Sequence, residues 1–454
     1  ELLRALRSGG DLSGLPGLVR RAADGHGSTA APISDTPLPP AAIVGPHYEG
    51  YFERLAESQA GSWVQPMLVV EGARGCWWGE KHHCTFCGLN GSTMQFRSKS
   101  PARFHDEIVD LVRRHQVLDM FVVDNILDMG YLTSLLPRLA EDGYDLRLQY
   151  EIKSNVRRDQ LEILAGAGLV SIQPGIENLD STVLRIMDKG VTGAQNVKML
   201  RDSSSCHLSV LWNYLYGFPG ETDAHYGVMV AQFPALHHLQ PPGGATRIVI
   251  ERFSPYFNDP ALGFPGLRPG RQYGLIYDLP DEELYDMAYL FDSVPQGIGG
   301  QVEKDLNDAV TRWQEAHLTS TLTVCDLGDA LVLANRREQF PWETLRLTDP
   351  LEVAAFRLLE HPRTVTGLTR ALAETGLVAS DEPGKPAEPN ATTEAAEGHI
   401  AALIRRWTDL GLLFHDGVRI VHVAVDAANQ DVYRLDERRL FGDRPVSELV
   451  GVDA

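Results

Sequence analysis

Cys76, Cys84 and Cys87 stand within twelve residues in the spacing C-x7-C-x2-C, directly after the apolar run Met67-Leu68-Val69-Val70. They are three of the chain's five cysteines; Cys206 and Cys325 stand alone and read as buried apolar residues. Thiols this dense in a chain without a secretion signal are metal ligands far more often than a disulfide framework. The set is one ligand short. A closed zinc site or an ordinary iron–sulfur cluster takes four protein ligands, so three cysteines would hold a 4Fe–4S cluster with one iron open to a further molecule. The alternative from another class is a structural or scaffold protein with zinc on the cysteines and His82 or His83. Either histidine has a plainer reading as a side chain packed or hydrogen-bonded within the loop. Trp77 and Trp78 read as a shield against water.

The elements that must hold such a loop follow from the pattern between residues 66 and 253. Strand-like runs near 66–71, 118–124, 145–151, 169–176, 208–216 and 246–253 alternate with helical patterns such as Pro101 to Arg114 and Arg157 to Ala167. Alternation of this kind means parallel strands joined by right-handed crossovers. Six βα units are too few for a closed eight-fold barrel, so the expected fold class is α/β with a partial (β/α)6 barrel. A doubly wound sheet is the rival, but no glycine-rich dinucleotide fingerprint follows the first strand. In barrels, chemistry collects at the carboxyl ends of the strands. Here those ends carry the cysteine loop, then Asp124 and Asn125, Glu151 and Lys153, Gln173 and Glu177, Asn213, Tyr214 and Tyr216, and finally Arg252 and Tyr256. Singly, any of these could be an ordinary loop residue. Together they describe one polar rim.

Outside the barrel the pattern changes. Residues 1–60 read as a linker, rich in Pro, Gly, Ala and Ser over 24–47, with Asp24-Gly25-His26-Gly27 a polar loop. The barrel occupies 61–260. An extension over 261–347 carries helical stretches near 281–292 and 301–317 and then short strands. Residues 348–454 read as three helices followed by a hairpin, Leu412-Leu413-Phe414 and Val418 to Val423, with Asp416-Gly417 at the turn. That order resembles a winged helix, an α+β module. Residues 350–425 hold seven Lys and Arg against ten Asp and Glu, which favours peptide recognition or a structural task over DNA. The insertion Ser380 to Ala396 reads as a surface loop.

The whole chain of 454 residues has a formal net charge of −20 and 43% hydrophobic residues. That charge argues against nucleic acid, whose binding needs Lys and Arg to neutralise phosphates. No apolar run is long enough to span a membrane. The cysteine usage points to a reducing cytoplasm.

With the barrel and the loop in place, the sequence resembles the radical S-adenosylmethionine (SAM) superfamily, whose usual spacing is C-x3-C-x2-C. The flanking residues narrow the resemblance to the cobalamin-dependent radical SAM maturases of ribosomally synthesised peptides, the RiPP maturation radical SAM protein 1 family. They are Arg74-Gly75-Cys76-Trp77-Trp78-Gly79 and His83-Cys84-Thr85-Phe86-Cys87-Gly88-Leu89-Asn90. Further on come Ile172-Gln173-Pro174-Gly175-Ile176-Glu177, Met187-Asp188-Lys189-Gly190, Trp212 to Glu221 and Arg252-Phe253-Ser254-Pro255-Tyr256. The resemblance covers roughly residues 1–425.

The resemblance implies a cluster on Cys76, Cys84 and Cys87, with SAM on the open iron. It implies adenine contact near Phe86 and Tyr216, with Tyr216 also among the catalytic residues. Asp124 and Asn125 become candidates for the methionine amino group, Glu151 and Glu177 for the ribose or amino group, and Gln173 for the same cofactor site. It implies a precursor peptide with a leader as substrate, an electron donor such as a flavodoxin or ferredoxin, and C-methylation or ring formation, such as a cyclopropane, on an unactivated carbon. A small-molecule substrate is the alternative within the same chemistry. Members carry an N-terminal cobalamin-binding domain of Rossmann type. Glu1 to Arg21 resembles the stretch that follows it, so either that domain lies outside the given sequence or the enzyme does without cobalamin, whose use is expected from the family alone. Asp24-Gly25-His26 makes no D-x-H-x-x-G ligand motif, because Thr29 stands where the glycine should be.

Overall fold

The computed structural model describes residues 2–22, 28–30, 37–89, 91, 94–377 and 391–427. The Asp24-Gly25-His26-Gly27 loop, Asn90 of the cysteine stretch and residues 380–390 of the insertion lie outside the described residues. Five short strands pair in chain order, every neighbour parallel: β1 (Leu68–Val70), β2 (Asp119–Val122), β3 (Arg147–Glu151), β4 (Leu169–Gln173) and β5 (Ser209–Val210). The strand expected over 208–216 breaks after Val210 and resumes as β6 (Tyr214–Tyr216), which pairs in parallel with β7 (Ala245–Arg247). This is the mixed α/β fold with a parallel sheet that the alternation implies.

The expected sixth strand divides in the same way. Past β7 the chain leaves the barrel, and Ile250–Glu251 pairs antiparallel with Leu290–Asp292. Those residues were expected to close a helix, but the helix there is Asp281–Met287. Phe291 is buried against Phe257 and Tyr285, so packing draws the segment into a strand.

Four crossover helices cover one face of the sheet: α1 (Pro101–His115), α2 (Leu135–Asp142), α3 (Arg158–Gly166) and α4 (Gly193–Ser205). Their starts are locally coded. Ser100 Oγ accepts from the amide of Arg103 ahead of Pro101, and Thr192 and Gln195 form a reciprocal capping box on α4. Leu68, Val70, Met120, Val122, Leu148, Tyr150, Leu169 and Ile172 point to the helices and are buried with Phe104 and Ile108. The period of two sends Val69, Val123 and Glu151 to the other face, where Val69 and Val123 are exposed. Among the described residues β1 has one strand neighbour, β2. Its free edge is met by the hydroxyl of Tyr48, which donates to the Val69 carbonyl and accepts from the Val69 amide, both at 2.6 Å.

Beyond the barrel, Leu322–Asp326, Leu331–Asn335 and Thr344–Leu347 form an antiparallel sheet. Helices Pro350–Leu358, Val365–Glu374 and Ala391–Asp409 precede the hairpin Leu413–His415 and Ile420–His422, the order expected of a winged helix. The chain then returns: Val425–Asp426 adds to Leu322–Asp326 in parallel, bridging the boundary expected at 347/348. The hairpin packs on the barrel helices. Asp416 Oδ2 accepts from Ser181 Oγ at 2.8 Å, and Arg201 of α4 donates to the carbonyls of His422 and Glu360 at 2.9 and 2.8 Å. Buried Arg337 donates to the carbonyls of Ala235 and Gly411 at 2.7 and 2.6 Å, tying barrel, extension and C-terminal module together. Among the described residues no helix is long and apolar enough to cross a membrane.

Candidate active site at the cysteine loop

The loop leaves the carboxyl end of β1 through a fixed root. The Gly72 amide donates to Asp124 Oδ1 at 2.7 Å, and the Tyr150 hydroxyl donates to Asp124 Oδ2. A Cβ on Gly72 would sit 2.5 Å from the Phe104 ring and 2.8 Å from that carboxylate, so only glycine lets the three meet. Burial pushes the Asp124 carboxyl up to about 6 against the hydrogen bonds that lower it. Ala73–Arg74 then pairs antiparallel with Arg97–Ser98, and Arg74 forms a bidentate pair with Glu71 at 2.6 and 2.8 Å. Glu71, Arg74, Arg97, Val123 and Asn125 line a cleft of about 300 Å³ here.

The seven residues between Cys76 and Cys84 form two ring anchors. The Trp77 indole N–H donates to the Leu127 carbonyl at 2.9 Å, and that of Trp78 to the Asp188 carbonyl at 3.1 Å. A Cβ on Gly190, at φ +66°, would come within 2.2 Å of the Trp78 ring. His82 stacks on Trp78 at 4.3 Å, and the Lys153 ammonium stands 3.5 Å from its ring centroid. Past the gap, the Thr85 amide donates to the Met187 carbonyl, the Tyr256 amide to the Thr85 carbonyl, and the Gly88 amide to Glu251 Oε2 at 2.7 Å. His83 Nε2 lies 2.8 Å from the Cys87 carbonyl, within the loop. The loop is thus fastened to the segment after β2, to the end of helix Ser181–Ile186 and to the Ile250–Glu251 strand with the turn that follows it.

The three thiols are free and half-buried; of the other two cysteines Cys206 is buried as expected, while Cys325 is exposed, contrary to its reading as a buried residue. Burial pushes Cys84 up and Cys87 up to about 12, with each thiolate disfavouring its neighbours. The surroundings work the other way. The Gly79 amide points at Cys76 Sγ at 3.3 Å, a backbone amide near Leu89 serves Cys87, and Lys189 and Lys153 both favour the Cys84 thiolate. Amide donors and buried cations around thiolates are what a cysteine-ligated iron–sulfur cluster takes. The donor set therefore fits the group.

Lys189 is buried beside Glu177 at 3.1 Å; burial lowers its pKa, but Glu177 and the Cys84 thiolate outweigh this and raise it. Glu177 sits at φ 60°, in the left-handed region, with its carbonyl accepting from the Leu215 amide at 2.6 Å. Burial and the charge of Glu177 push Glu151 up to about 7. Glu151 and Gln173 are register partners on β3 and β4, so both face the same side of the sheet at adjacent strands. Phe86 packs edge-on against Phe218 at 6.0 Å, with Lys189 5.7 Å from its ring.

The structure therefore groups Glu151, Glu177 and Phe86 near the cysteines, with Gln173 beside Glu151 and Asn125 on the adjoining cleft. Asp124 and Tyr216 sit differently. The pleat turns Asp124 toward the helix layer, where both oxygens already accept hydrogen bonds. Tyr216 is buried in the core, its hydroxyl donating to Glu303 at 2.5 Å on helix Gly300–His317, under the Arg247 guanidinium. Glu251 has no role in the sequence reading yet holds Gly88. Lys153 and Lys189 were visible only as a strand-end residue and as part of a motif; a lone lysine after a strand carries little signal.

Residues 70–232 match the sequence model of the Radical SAM superfamily, a span running from the end of β1 to just before Phe233. The segment is a radical SAM domain. Such a domain implies a 4Fe–4S cluster and SAM, the cofactors that the three-cysteine loop calls for. Among solved structures, the chain is similar to the radical S-adenosylmethionine methyltransferase TsrM from Kitasatospora setae, with cobalamin and a 4Fe–4S cluster bound. Identity is 16% over 72% of this chain and 66% of that one, with a TM-score of 0.46. It is also similar to the cobalamin-dependent S-adenosylmethionine radical enzyme OxsB with aqua-cobalamin bound, at 12% identity over 100% of this chain and 63% of that one, TM-score 0.47. Coproporphyrinogen III oxidase from Escherichia coli, a radical SAM enzyme, matches at 10% identity over 87% and 94% of the two chains, TM-score 0.35. The radical SAM domain here is thus part of a chain that spans just under two thirds of the length of TsrM and OxsB. No curated protein matches the sequence.

Proposed function

We propose that this chain is the radical SAM portion of a cobalamin-dependent enzyme that modifies an unactivated carbon of a ribosomally synthesised precursor peptide, by C-methylation or ring formation. The observation that carries the radical chemistry is the three-cysteine loop at the carboxyl end of β1, with amide donors and lysines gathered around its thiols. When bound, the cluster and SAM supply a carbon-centred radical able to take hydrogen from an unactivated carbon. Cys76, Cys84 and Cys87 would hold the cluster. Glu151, Glu177, Gln173 and Asn125, on or beside the inner rim, are the groups best placed to accept from the amino and hydroxyl groups of SAM. Phe86 offers an apolar ring beside them. In this reading Asp124 positions the loop root, and Tyr216 braces β6 against helix Gly300–His317.

The peptide substrate is supported by the C-terminal module. Its hairpin is fixed to the barrel through Asp416, Arg201 and His422, and its net acidity suits a peptide better than a nucleic acid. A module held rigidly against the barrel can fix a leader while the remainder of the peptide reaches the rim. Cobalamin rests on the family resemblance alone.

The test is co-expression of the full-length protein with its neighbouring precursor peptide, followed by mass spectrometry of the peptide. A gain of one methylene supports methylation, and a loss of two hydrogens supports a new bond or ring. An unmodified peptide, with SAM still cleaved by the enzyme, turns the assignment to a small-molecule substrate.

A further inference from the structure

We propose that Lys153 is a positioning residue whose buried ammonium eases one-electron reduction, by an external donor, of a cluster held on Cys76, Cys84 and Cys87. The inference rests on the cluster reading above and goes beyond it by naming a residue that sets the cluster's potential.

Lys153 is 8% exposed. Its ammonium donates to the Lys189 carbonyl at 2.6 Å and lies against the face of Trp78, 3.5 Å from the centroid. Neither partner carries a negative charge. Among the described residues no carboxylate comes within ion-pair distance of it, whereas Lys189 is paired with Glu177 at 3.1 Å. A buried ammonium without a counter-ion is unfavourable unless some other anion answers it. Burial foremost, then the Lys189 charge, lowers the Lys153 pKa to about 8, while the Cys84 and Cys76 thiolates and the Asp188 carboxylate favour its charged form. Three thiolates on a 4Fe–4S core leave a net negative charge, and that charge grows when an electron enters. A cation beside it stabilises the reduced form more than the oxidised form and raises the potential. The indole of Trp78 covers the ammonium and keeps water from it, and a less polar surrounding extends the reach of the charge. Trp78 comes from inside the seven-residue gap, so the lengthened spacing gains a purpose: it carries the plate that closes over Lys153.

The experiment is a potentiometric titration, followed by electron paramagnetic resonance, of the anaerobically reconstituted full chain and its variants. Iron and sulfide content is measured first. A wild-type chain that assembles no cluster defeats the cluster reading itself, not the role of Lys153. With the cluster assembled, Lys153→Met should keep its iron and show a midpoint potential lower than wild type, and Lys153→Arg should stay near wild type. Full iron content with an unchanged potential in Lys153→Met overturns the proposal. Should Lys153→Met fail to hold iron, Trp78→Leu decides, since it keeps the charge but opens it to water. A lowered potential there supports the proposal, and an unchanged one overturns it.

Discussion

The indole of Trp78 donates to the backbone carbonyl of Asp188 at 3.1 Å, joining the middle of the C-x7-C gap to the segment that follows β4. The contact turns the long gap from a slack loop into a strut. Gly190, two residues further on, leaves the space the ring occupies. Gly190→Ala adds a methyl group where the ring lies and a side chain at φ +66°. We expect a loss of about 2–3 kcal/mol in stability, and a drop in iron bound per chain after reconstitution. Denaturant melts and iron analysis of the variant check both.

Asp124 ties the loop root to the sheet. Asp124→Ala leaves the Gly72 amide and the Tyr150 hydroxyl without their acceptor and should cost about 3 kcal/mol. Asp124→Asn, which keeps one acceptor oxygen, should cost less. The folded carboxyl titrates at about 6, above its ordinary value of 3.8. The native state therefore binds the extra proton between those values, and this group's contribution to stability falls as pH rises through that window. Melting curves of wild type and Asp124→Asn from pH 4 to 7 should diverge accordingly.

At the free edge of the barrel, one hydroxyl serves both backbone groups of Val69. Tyr48→Phe should lower stability by about 1–2 kcal/mol. Hydrogen exchange resolved by residue should show the Val69 amide less protected, while amides inside β2 keep their protection.

Acid should loosen the junction of barrel, extension and C-terminal module. His237 is buried near Arg337, Arg312 and His317, and burial foremost lowers its pKa from 6.5 to about 4. The unfolded chain binds this proton first, so stability is lost as pH falls from about 6.5 toward about 4. His237→Gln should reduce the difference in unfolding free energy between pH 7 and pH 4 by about 3 kcal/mol. Buried His238 and His422, also lowered, should retain the remaining acid sensitivity.

The parts of this protein that can be read from sequence are those coded by local period and spacing. The βα alternation, the C-x7-C-x2-C loop and the helix–helix–helix–hairpin order of the C-terminal module all reappear in the structure. What escaped the sequence depends on partners far along the chain. Asp124 and Asn125 are adjacent, but the pleat of β2 separates them, and only the Gly72 amide and Tyr150 hydroxyl show which way Asp124 faces. Tyr216 ends a strand of the barrel, yet its hydroxyl answers Glu303, eighty-seven positions later. Glu251 reaches Gly88, and Lys153 finds Trp78, across separations no local pattern encodes. The division of the fifth and sixth strands likewise follows from where Tyr214 and Phe291 find their packing.

Radical chemistry at this site requires the cysteine triad. The most direct test is the yield of 5′-deoxyadenosine from SAM by the anaerobically reconstituted chain under dithionite, compared with Cys84→Ala. The account predicts steady formation by the wild type and none above background by the variant. Equal rates from both would contradict it.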